Sequence, residues 1–583
     1  MLKSIFGRDI AKRLLAKDHN QLVLAAFIGL LAGCASTIFR WMIELFETIF
    51  SIQGLELLGL PENFHWLILP FMPMIGGLII GAICKFFPHA VEENGVHRVM
   101  QSVALKDGKI PPRTILSCST TSAITIGTGG SAGREGPTVQ IGAAIGSFFG
   151  QFFNQSTDRM RVLVGCGASA GIAASFNAPF AGVLFSLEII LRDFAINAFS
   201  PIVIASVIGT VVGRAIEGNH VTFLIPVHEL VSSWEIVFYF ILGILCGLAA
   251  FLFIKTYFFI GELFENKVPI PKTLKPALGG FIIGVISIWT PQVMGNGYEA
   301  MQQALNGDMI WTLSFLLIFL KIGSTAITLG SGGLGGIFAP ALFIGAMLGS
   351  AFGAGIHFIL PQLTASPETY ALVAMGAVAG AVMQAPLTNI LMLFELTNDY
   401  TLILPIMTSC IVASYTMQIL HKHSIYLEKL LKKGINIQHG REVSVLNSFF
   451  VREVMTKKVV TLPQDTPFRK ILEIVARSKS QQFPVVDPEG HMTGILAFSD
   501  MREMILEDGL GDLVVANDLS TKNVISMTPS MNLNEAMELF ADMDIEQLPV
   551  VHEDDPTIVV GMIARGDVMN VYNREVLVSE FDR

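Results

Sequence analysis

The chain of 583 residues is very apolar, with 52% hydrophobic and only 15% charged residues and a mean hydropathy of +0.59. This composition excludes an ordinary soluble globular protein and indicates a polytopic membrane protein. Charge is unevenly distributed, because residues 1–440 carry 25 Lys+Arg and 24 Asp+Glu, whereas residues 441–583 carry 13 and 24. The sequence therefore predicts an acidic soluble domain after about residue 440, and its acidity argues against nucleic acid as a partner.

The first 20 residues form a basic segment that lacks a cleavable signal pattern. Apolar runs then recur up to about residue 420, and several are broken by glycine or are too long for one straight span. Basic residues before the first run and after the last one predict that both ends of the membrane part lie in the cytoplasm. We assign the membrane part to residues 21–435 and a linker to residues 436–449.

A glycine-rich stretch, GTGGSAGREGP at residues 127–137, places Arg134 and Glu135 inside an apolar region. A charge within a membrane segment is costly, so such a residue is a functional candidate. The sequence that follows predicts a helix, and the N-terminus of a helix attracts anions through its free N–H groups and dipole. Glu135 is therefore predicted at a position where a carboxylate competes with a bound anion.

The same pattern occurs twice in the membrane part. Residues 123–147 align without gaps with residues 326–350, and 13 of the 25 positions are identical. In addition, Asn177-Ala-Pro179 precedes Glu188 and Gln384-Ala-Pro386 precedes Glu395, with nine residues from proline to glutamate in both. Two halves with glycine-broken segments at matching places indicate a transporter with internal repeats. The alternative is tight packing of ordinary membrane helices through small residues.

The acidic tail contains two copies of a small α/β unit, each ending in an aspartate, Asp500 or Asp567. The copies span residues 450–505 and 515–574. The tail resembles a tandem CBS-domain pair, and such pairs often bind adenine nucleotides through a Ser/Thr-x-x-Asp motif. Ala497 and Ala564 stand at the hydroxyl positions of that motif. Nucleotide binding by the two aspartates and a purely structural or dimerising tail therefore both stay open.

Other chemistry has little support in the sequence. The six cysteines lie in apolar segments without a CxxC pair, and the 12 histidines show no metal-ligand spacing. We therefore predict no metal and no redox cofactor. No catalytic soluble domain is recognisable, so the sequence does not predict an enzyme.

The membrane half resembles the CLC family of chloride channels and transporters. The resemblance rests on Gly133–Pro137, Asn177-Ala-Pro179 followed by Glu188, Gly336–Pro340, and Tyr426, in this order and joined to a CBS pair. It implies an all-α polytopic membrane fold of two inverted repeats that forms a homodimer with one anion pathway in each subunit. It also implies chloride or a similar monovalent anion as the transported ion, and a bacterial plasma membrane as the location.

The resemblance further assigns site residues. Glu135 matches the gating glutamate, whose carboxylate occupies the outer anion site until it is protonated or swings out. Backbone N–H groups near Gly136, Ile337 and Phe338 would donate hydrogen bonds to the anion, and Tyr426 would offer its hydroxyl at the inner end. Neutral ligands of this kind suit conduction because a bound ion must also be able to leave.

Two positions depart from the family's pattern. The first filter motif, Gly-Ser-Gly-Ile-Pro, appears here as Glu93-Asn-Gly-Val-His97, so Asn94 stands where a serine hydroxyl would coordinate the anion. An amide can donate a hydrogen bond as well, which leaves the preferred anion open, and helix capping by Asn94 is the alternative. The second departure is Ile189, at the position where proton-coupled members carry an internal glutamate.

Isoleucine cannot carry a proton, so Ile189 predicts a channel-like or weakly proton-coupled anion pathway. A chloride/proton antiporter with a substitute proton route is the alternative, and Glu188 would be the neighbouring carboxylate. On a helix Glu188 points about 100° away from its neighbour, which favours a structural acid bonded to backbone. A CBS-regulated cation transporter would need acidic residues along the spans, and the apolar runs contain very few.

Overall fold

A computed structural model describes residues 19–50, 68–86, 95–218, 223, 232, 234–397, 399–435, 446, 449–478, 480–505, 513–543 and 545–571. The chain divides into two compact units, residues 1–435 and residues 436–583. The first unit is helical and the second is mixed α/β, as the sequence predicts. Most of the basic N-terminal segment and most of the linker at 436–449 lie outside the described residues.

The helices of the first unit follow each other with short connections. In chain order they are α1 His19–Ile49, α2 Phe71–Phe86, α3 Val96–Leu105, α4 Arg113–Gly127, α5 Glu135–Phe152, α6 Thr157–Phe176, α7 Pro179–Phe185, α8 Ile196–Glu217, α9 Glu235–Glu262, α10 Lys275–Ser287, α11 Tyr298–Asn306, α12 Trp311–Gly330, α13 Phe338–Ile359, α14 Pro367–Met383, α15 Pro386–Thr397, α16 Ile403–Leu420 and α17 Ile425–Leu431. Among the described residues, six helices are long and apolar enough to cross a membrane, with shorter apolar helices between them. The all-α membrane fold is thus confirmed.

Several apolar runs are broken, as predicted, and the breaks have local causes. Asn177 and Gln384 end α6 and α14 with left-handed φ values of 58° and 51°. In both places a proline then opens the next helix, at Pro179 and Pro386. Proline is tolerated at the first helical position because an N–H there has no partner within the helix. The two repeats therefore bend the chain by the same device.

The two repeats contact each other through matching hydrogen bonds. The N–H of Ser131 donates to Thr328 Oγ1, and the N–H of Leu334 donates to Thr125 Oγ1, each at 3.0 Å. Ser131 and Leu334 are 203 residues apart, and so are Thr125 and Thr328. Each repeat donates one backbone hydrogen bond to the threonine of the other repeat and accepts the equivalent bond in return. This is the contact pattern of two halves related by a local two-fold axis.

The glutamates that follow the Asn-Ala-Pro and Gln-Ala-Pro motifs also form equivalent hydrogen bonds, each with a helix of the other repeat. Glu188 accepts the N–H groups of Leu387-Thr388 at 3.2 and 2.7 Å, in the first turn of α15. Glu395 accepts those of Phe180-Ala181 at 2.9 and 2.8 Å, in the first turn of α7. A carboxylate at this end of a helix satisfies free N–H groups and opposes the positive end of the dipole. Each glutamate therefore caps a helix of the other repeat.

We expect Glu395→Ala to lower the thermal unfolding midpoint of the purified protein. The substitution leaves two N–H groups of α7 without their charged acceptor, and a hydrogen bond to a charged group contributes about 1.5–3 kcal/mol. Glu395→Gln keeps one acceptor oxygen and should lose less. A thermal scan in detergent measures both variants, and equal midpoints for wild type and Glu395→Ala would contradict the capping role.

The second unit contains two small sheets with flanking helices. Its elements are α18 Val451–Val454, β1 Leu462–Pro463, α19 Phe468–Arg477, β2 Gln482–Val486, β3 Met492–Ala497, α20 Phe498–Ile505, α21 Ala516–Leu519, α22 Leu533–Met543, β4 Gln547–Val551 and β5 Val559–Ala564. In the first sheet β1 is parallel and β3 antiparallel to β2, with Gln482 opposite Ala497. In the second sheet β4 and β5 are antiparallel, with Gln547 opposite Ala564.

The two copies in this unit exchange their opening segments. Val451, at the start of the first copy, is buried with Leu533 and Phe540 of the second copy, and its N–H donates to Met531 O at 2.8 Å. Ala516, at the start of the second copy, is buried in the core of the first copy. Each core is therefore completed by the residue that opens the other copy, and the two copies share their cores.

Candidate functional site

The two glycine-rich motifs meet at the centre of the first unit. Gly133 and Gly336 form an antiparallel bridge, in which each N–H donates to the carbonyl of the other residue at 2.8 and 2.6 Å. Directly after this bridge the chain enters α5 on one side and α13 on the other. The N-termini of two helices, with their free N–H groups, are thereby brought together within the apolar unit.

This close approach depends on glycine at the bridge. A Cβ at Gly136 would lie 3.0 Å from the Cα of Gly336, and a Cβ at Gly336 would lie 2.8 Å from the N atom of Gly136. A Cβ at Gly133 would collide with the carboxylate of Glu135. Backbone can approach backbone or a ligand this closely only where the side chain is absent.

Glu135 is the first residue of α5 and is buried, with 1% of its surface exposed. Its Oε1 accepts the hydroxyl of Tyr298 at 2.6 Å, and its Oε2 accepts the N–H of Ala339, in α13, at 3.4 Å. The carboxylate therefore lies between the two helix N-termini, in the position that a small anion would favour there.

The residues on either side of Glu135 line two different cavities. Its predecessor Arg134 lines a cavity of about 480 Å³, which we call the arginine cavity because Arg40 and Arg214 line it too. Its successor Gly136 lines a cavity of about 70 Å³, which we call the Tyr426 cavity. Arg134 and Gly136 thus line different cavities, and the buried Glu135 lies between them in the chain.

The sequence-predicted anion ligands are only partly brought together. Gly136, Ile337 and Tyr426 line the Tyr426 cavity, and the Tyr426 side chain is 6% exposed. The ring of Phe338 instead packs against Phe176, with 5.5 Å between the ring centroids. Its backbone N–H, at the start of α13, is therefore the group of this residue that could donate to an anion. Asn94 lies outside the described residues, so its predicted contact with the anion stays a prediction.

The residue at the expected proton-relay position is apolar and buried. Ile189 is buried, with 4% of its surface exposed, in the π-helical turn Ser186–Leu191 that continues α7. Glu188 beside it is bonded to the first turn of α15, which is the backbone hydrogen bonding that its position on the helix favoured. The carboxylate nearest to Ile189 in the sequence is thus engaged in joining the two repeats.

Two residues of the site were missed by sequence reasoning. Lys429 lies one turn after Tyr426 on α17 and lines the same cavity, and its Nζ donates to the hydroxyl of Tyr257 at 3.1 Å. The signal for Lys429 was a cation three residues after a predicted ligand. Tyr298 has no comparable signal, because only the fold brings it to Glu135, 163 residues away in the chain.

We expect Lys429→Met to weaken anion binding from the side of the Tyr426 cavity. One positive charge near the anion, at an effective dielectric constant of about 20, contributes roughly 1 kcal/mol or more, so the half-saturating chloride concentration should rise about fivefold or more. Lys432→Met is the matched control, because Lys432 pairs with Glu262 on the surface of the unit. Chloride flux measured against chloride concentration checks this, and equal curves for both variants would exclude a role for Lys429.

In the second unit the two aspartates that were predicted to contact a nucleotide accept hydrogen bonds from backbone N–H groups. Asp500 Oδ2 accepts the N–H of Ala497 at 3.0 Å, and Asp567 Oδ2 accepts the N–H of Ala564 at 3.2 Å. The two aspartates thus fix the same strand-to-helix turn in both copies. The turn after β2 brings Asp487 near His491, and the N–H of His491 lowers the pKa of Asp487. In this turn too, the carboxylate is bonded to backbone.

Comparison with known proteins gives consistent relatives for both units. The family model for the voltage gated chloride channel matches residues 76–418, and the CBS domain model matches residues 451–507 and 515–574. A putative chloride channel protein ClcB-like from Ralstonia nicotianae is 34% identical over 415 residues, which cover 70% of this chain and 96% of that protein.

Two solved structures share the fold. The structure of a slow cyanobacterial Cl⁻/H⁺ antiporter superimposes with a TM-score of 0.65 at 28% identity, over 71% of this chain and 97% of the other. A eukaryotic CLC transporter gives a TM-score of 0.63 at 20% identity, over 94% of this chain and 97% of the other. The arrangement of two inverted repeats followed by a CBS pair is thereby confirmed. This chain belongs to the CLC family of voltage gated chloride channels and transporters.

Proposed function

We propose that this protein carries chloride or a similar monovalent anion across a membrane through a pathway gated by Glu135. The observation that carries the proposal is the buried carboxylate of Glu135, which is bonded to Tyr298 and to the N–H of Ala339 where two helix N-termini meet. The residues on either side of it, Arg134 and Gly136, line the arginine cavity and the Tyr426 cavity. While the carboxylate is charged and bonded, it fills the place between the helix N-termini. Protonation or outward rotation vacates that place, and an anion then binds to the freed N–H groups.

The ligands around this position suit transport. Backbone N–H groups at Gly136, Ile337 and Phe338 and the hydroxyl of Tyr426 offer partial charges, which bind an anion without trapping it. The side chains at the two ends add full positive charges, Arg134 in the arginine cavity and Lys429 in the Tyr426 cavity. Positive charges at the mouths of a narrow path raise the local anion concentration and the rate of entry.

Transport in this proposal is channel-like or only weakly coupled to protons. Ile189 offers no titratable group at the relay position, and moving a proton through an apolar region without such a group or water is very costly. The alternative is chloride/proton antiport in which protons take a substitute route. The similarity to the cyanobacterial antiporter supports this alternative. Glu188 is the first residue to test as a substitute relay.

The remaining expectations belong to the same proposal. Two copies associate in a plasma membrane of bacterial type, each copy contains its own pathway, and both termini lie in the cytoplasm. Asn94 supplies an amide to the anion at the position where the family's filter motif has a serine. The CBS pair regulates the membrane unit, and it binds adenine nucleotide weakly or not at all because Ala497 and Ala564 lack the hydroxyl groups.

Radioactive chloride efflux from proteoliposomes tests the proposal. Vesicles that contain the protein should release ³⁶Cl⁻ much faster than protein-free vesicles when a potassium ionophore balances the charge. The same vesicles loaded with ⁸⁶Rb⁺ or ²⁸Mg²⁺, without ionophore, should retain the cation. Cation release without chloride release would refute anion transport and favour a CBS-regulated cation transporter.

A further inference from the structure

The carboxylate of Glu135 is held by a residue from a distant part of the chain. Tyr298 opens α11, and its hydroxyl donates to Glu135 Oε1 at 2.6 Å. The contact of Oε2 with the N–H of Ala339 is longer, at 3.4 Å. The phenol is therefore the shortest bond that holds the carboxylate in its present position.

The ring of Tyr298 is fixed by its neighbours. The guanidinium of Arg134 lies over the ring at 5.3 Å from its centroid, which is a favourable cation–π contact. Phe223 meets the ring edge-on at 5.6 Å between centroids. Arg134 is itself held, because its Nη2 donates to Ser175 O at 3.2 Å. The hydroxyl therefore points at Glu135 from a ring with little freedom to turn away.

The loop before Tyr298 is anchored by a buried cation. Lys321 of α12 is completely buried, and its Nζ donates to the carbonyls of Val293 and Gly295 at 3.0 Å each. The ammonium also lies 4.9 Å from the ring centroid of Phe343. Gly297, at φ +76°, completes the turn, and a Cβ there would lie 2.6 Å from the Phe343 ring. Burying a charged side chain is costly. The bonds from Lys321 to two carbonyls of this loop therefore indicate that the loop must be held in one position.

We propose that Tyr298 is a latch on the gate, whose hydroxyl holds the charged carboxylate of Glu135 in the closed position, and that Lys321 positions this latch. The inference rests on the proposed function, since it concerns the same carboxylate. Both act through Glu135, and they are positioning residues.

The latch has a consequence for the pH dependence of transport. The groups that face Glu135 are Arg134 at the start of α5, Tyr298 of α11, the N–H of Ala339 in α13 and, from α17, Tyr426. A hydroxyl that donates to a carboxylate stabilises the charged form. Without that hydroxyl Glu135 binds a proton more readily, so the gate should open at a higher pH. A hydrogen bond to a charged group corresponds to a shift of about one pH unit or more in the midpoint of activation.

The test is chloride efflux against pH for the full-length protein and for Tyr298→Phe. The phenylalanine keeps the ring and its ring contacts with Arg134 and Phe223. It removes the hydroxyl, with its hydrogen bonds to Glu135 and Arg134. We expect the pH of half-maximal flux to rise by about one unit or more. Tyr370→Phe is the matched control, because Tyr370 donates to another buried carboxylate, Glu235, at 2.8 Å. Its midpoint should equal that of the wild type.

An unchanged midpoint in Tyr298→Phe, with folding shown by a monodisperse detergent profile, would overturn the latch. An equal shift in Tyr370→Phe would do so as well. The double variant Glu135→Gln/Tyr298→Phe separates this inference from the proposed gate. If Glu135→Gln alone removes the pH dependence, the double variant should add nothing, and an additional effect would contradict the latch. If Glu135→Gln alone keeps the wild-type pH dependence, the gate itself is refuted, and the latch with it.

Discussion

Glu135→Gln is expected to abolish the pH dependence of anion flux and to leave flux intact or faster at neutral pH. The amide cannot ionise, so it resembles the protonated carboxyl at every pH. It also loses the charge that favours a position between two helix N-termini and a phenol hydroxyl. Since a hydrogen bond to a charged group contributes about 1.5–3 kcal/mol, flux at neutral pH should rise about tenfold or more if the closed gate limits it.

The measurement is initial chloride efflux from proteoliposomes at several pH values between 4 and 8, compared with wild type. Glu395→Gln is the matched control, because that carboxylate caps α7 and lines neither cavity. It should keep the wild-type pH profile. A Glu135→Gln variant with the wild-type profile would place the gate elsewhere in the chain.

The internal repeat explains why so much of the fold could be predicted. The match of residues 123–147 with 326–350 predicted two equivalent helix starts, and the structure joins them through Gly133 and Gly336. The equal spacing from proline to glutamate indicated the repeat, and the structure shows its consequence, the reciprocal capping by Glu188 and Glu395. Repeats reveal such contacts because a local two-fold axis makes each contact occur twice.

The candidate site could be predicted only where its residues lie in local motifs. Glu135 and Gly136 belong to the motif at residues 133–137, and the apolar sequence after this motif predicts a helix that starts there. Tyr298 meets Glu135 through packing of distant helices, and no local pattern encodes that distance. Lys321 offered a signal that was not used, because a lysine within the apolar run of α12 is costly unless it bonds to something.

The second unit shows a different limit. The two copies were recognised from their own strand and helix patterns, and those patterns run in chain order. The cores do not follow that order, since Val451 packs with the second copy and Ala516 with the first. An exchange of this kind depends on which surface an opening segment contacts, and two similar copies offer similar surfaces. The hydrophobic pattern alone therefore left the exchange undetermined.

Proton coupling is expected to be weak or absent, in contrast to the antiporter that shares the fold. Ile189 is buried and cannot take up a proton, and Glu188 is bonded to the first turn of α15. An apolar stretch without a titratable group or ordered water is a high barrier for a proton. Anions should therefore cross without a fixed number of protons moving in the opposite direction.

The most direct test is to measure proton and chloride movement together in proteoliposomes with an outward chloride gradient. The internal pH and the released chloride are followed at the same time, and protein-free vesicles and a proton uncoupler serve as controls. We expect rapid chloride release when a potassium ionophore balances the charge, without proton uptake against a proton gradient. Sustained uphill proton uptake at a fixed chloride-to-proton ratio would refute uncoupled transport, and loss of that uptake in Glu188→Gln would identify the substitute relay.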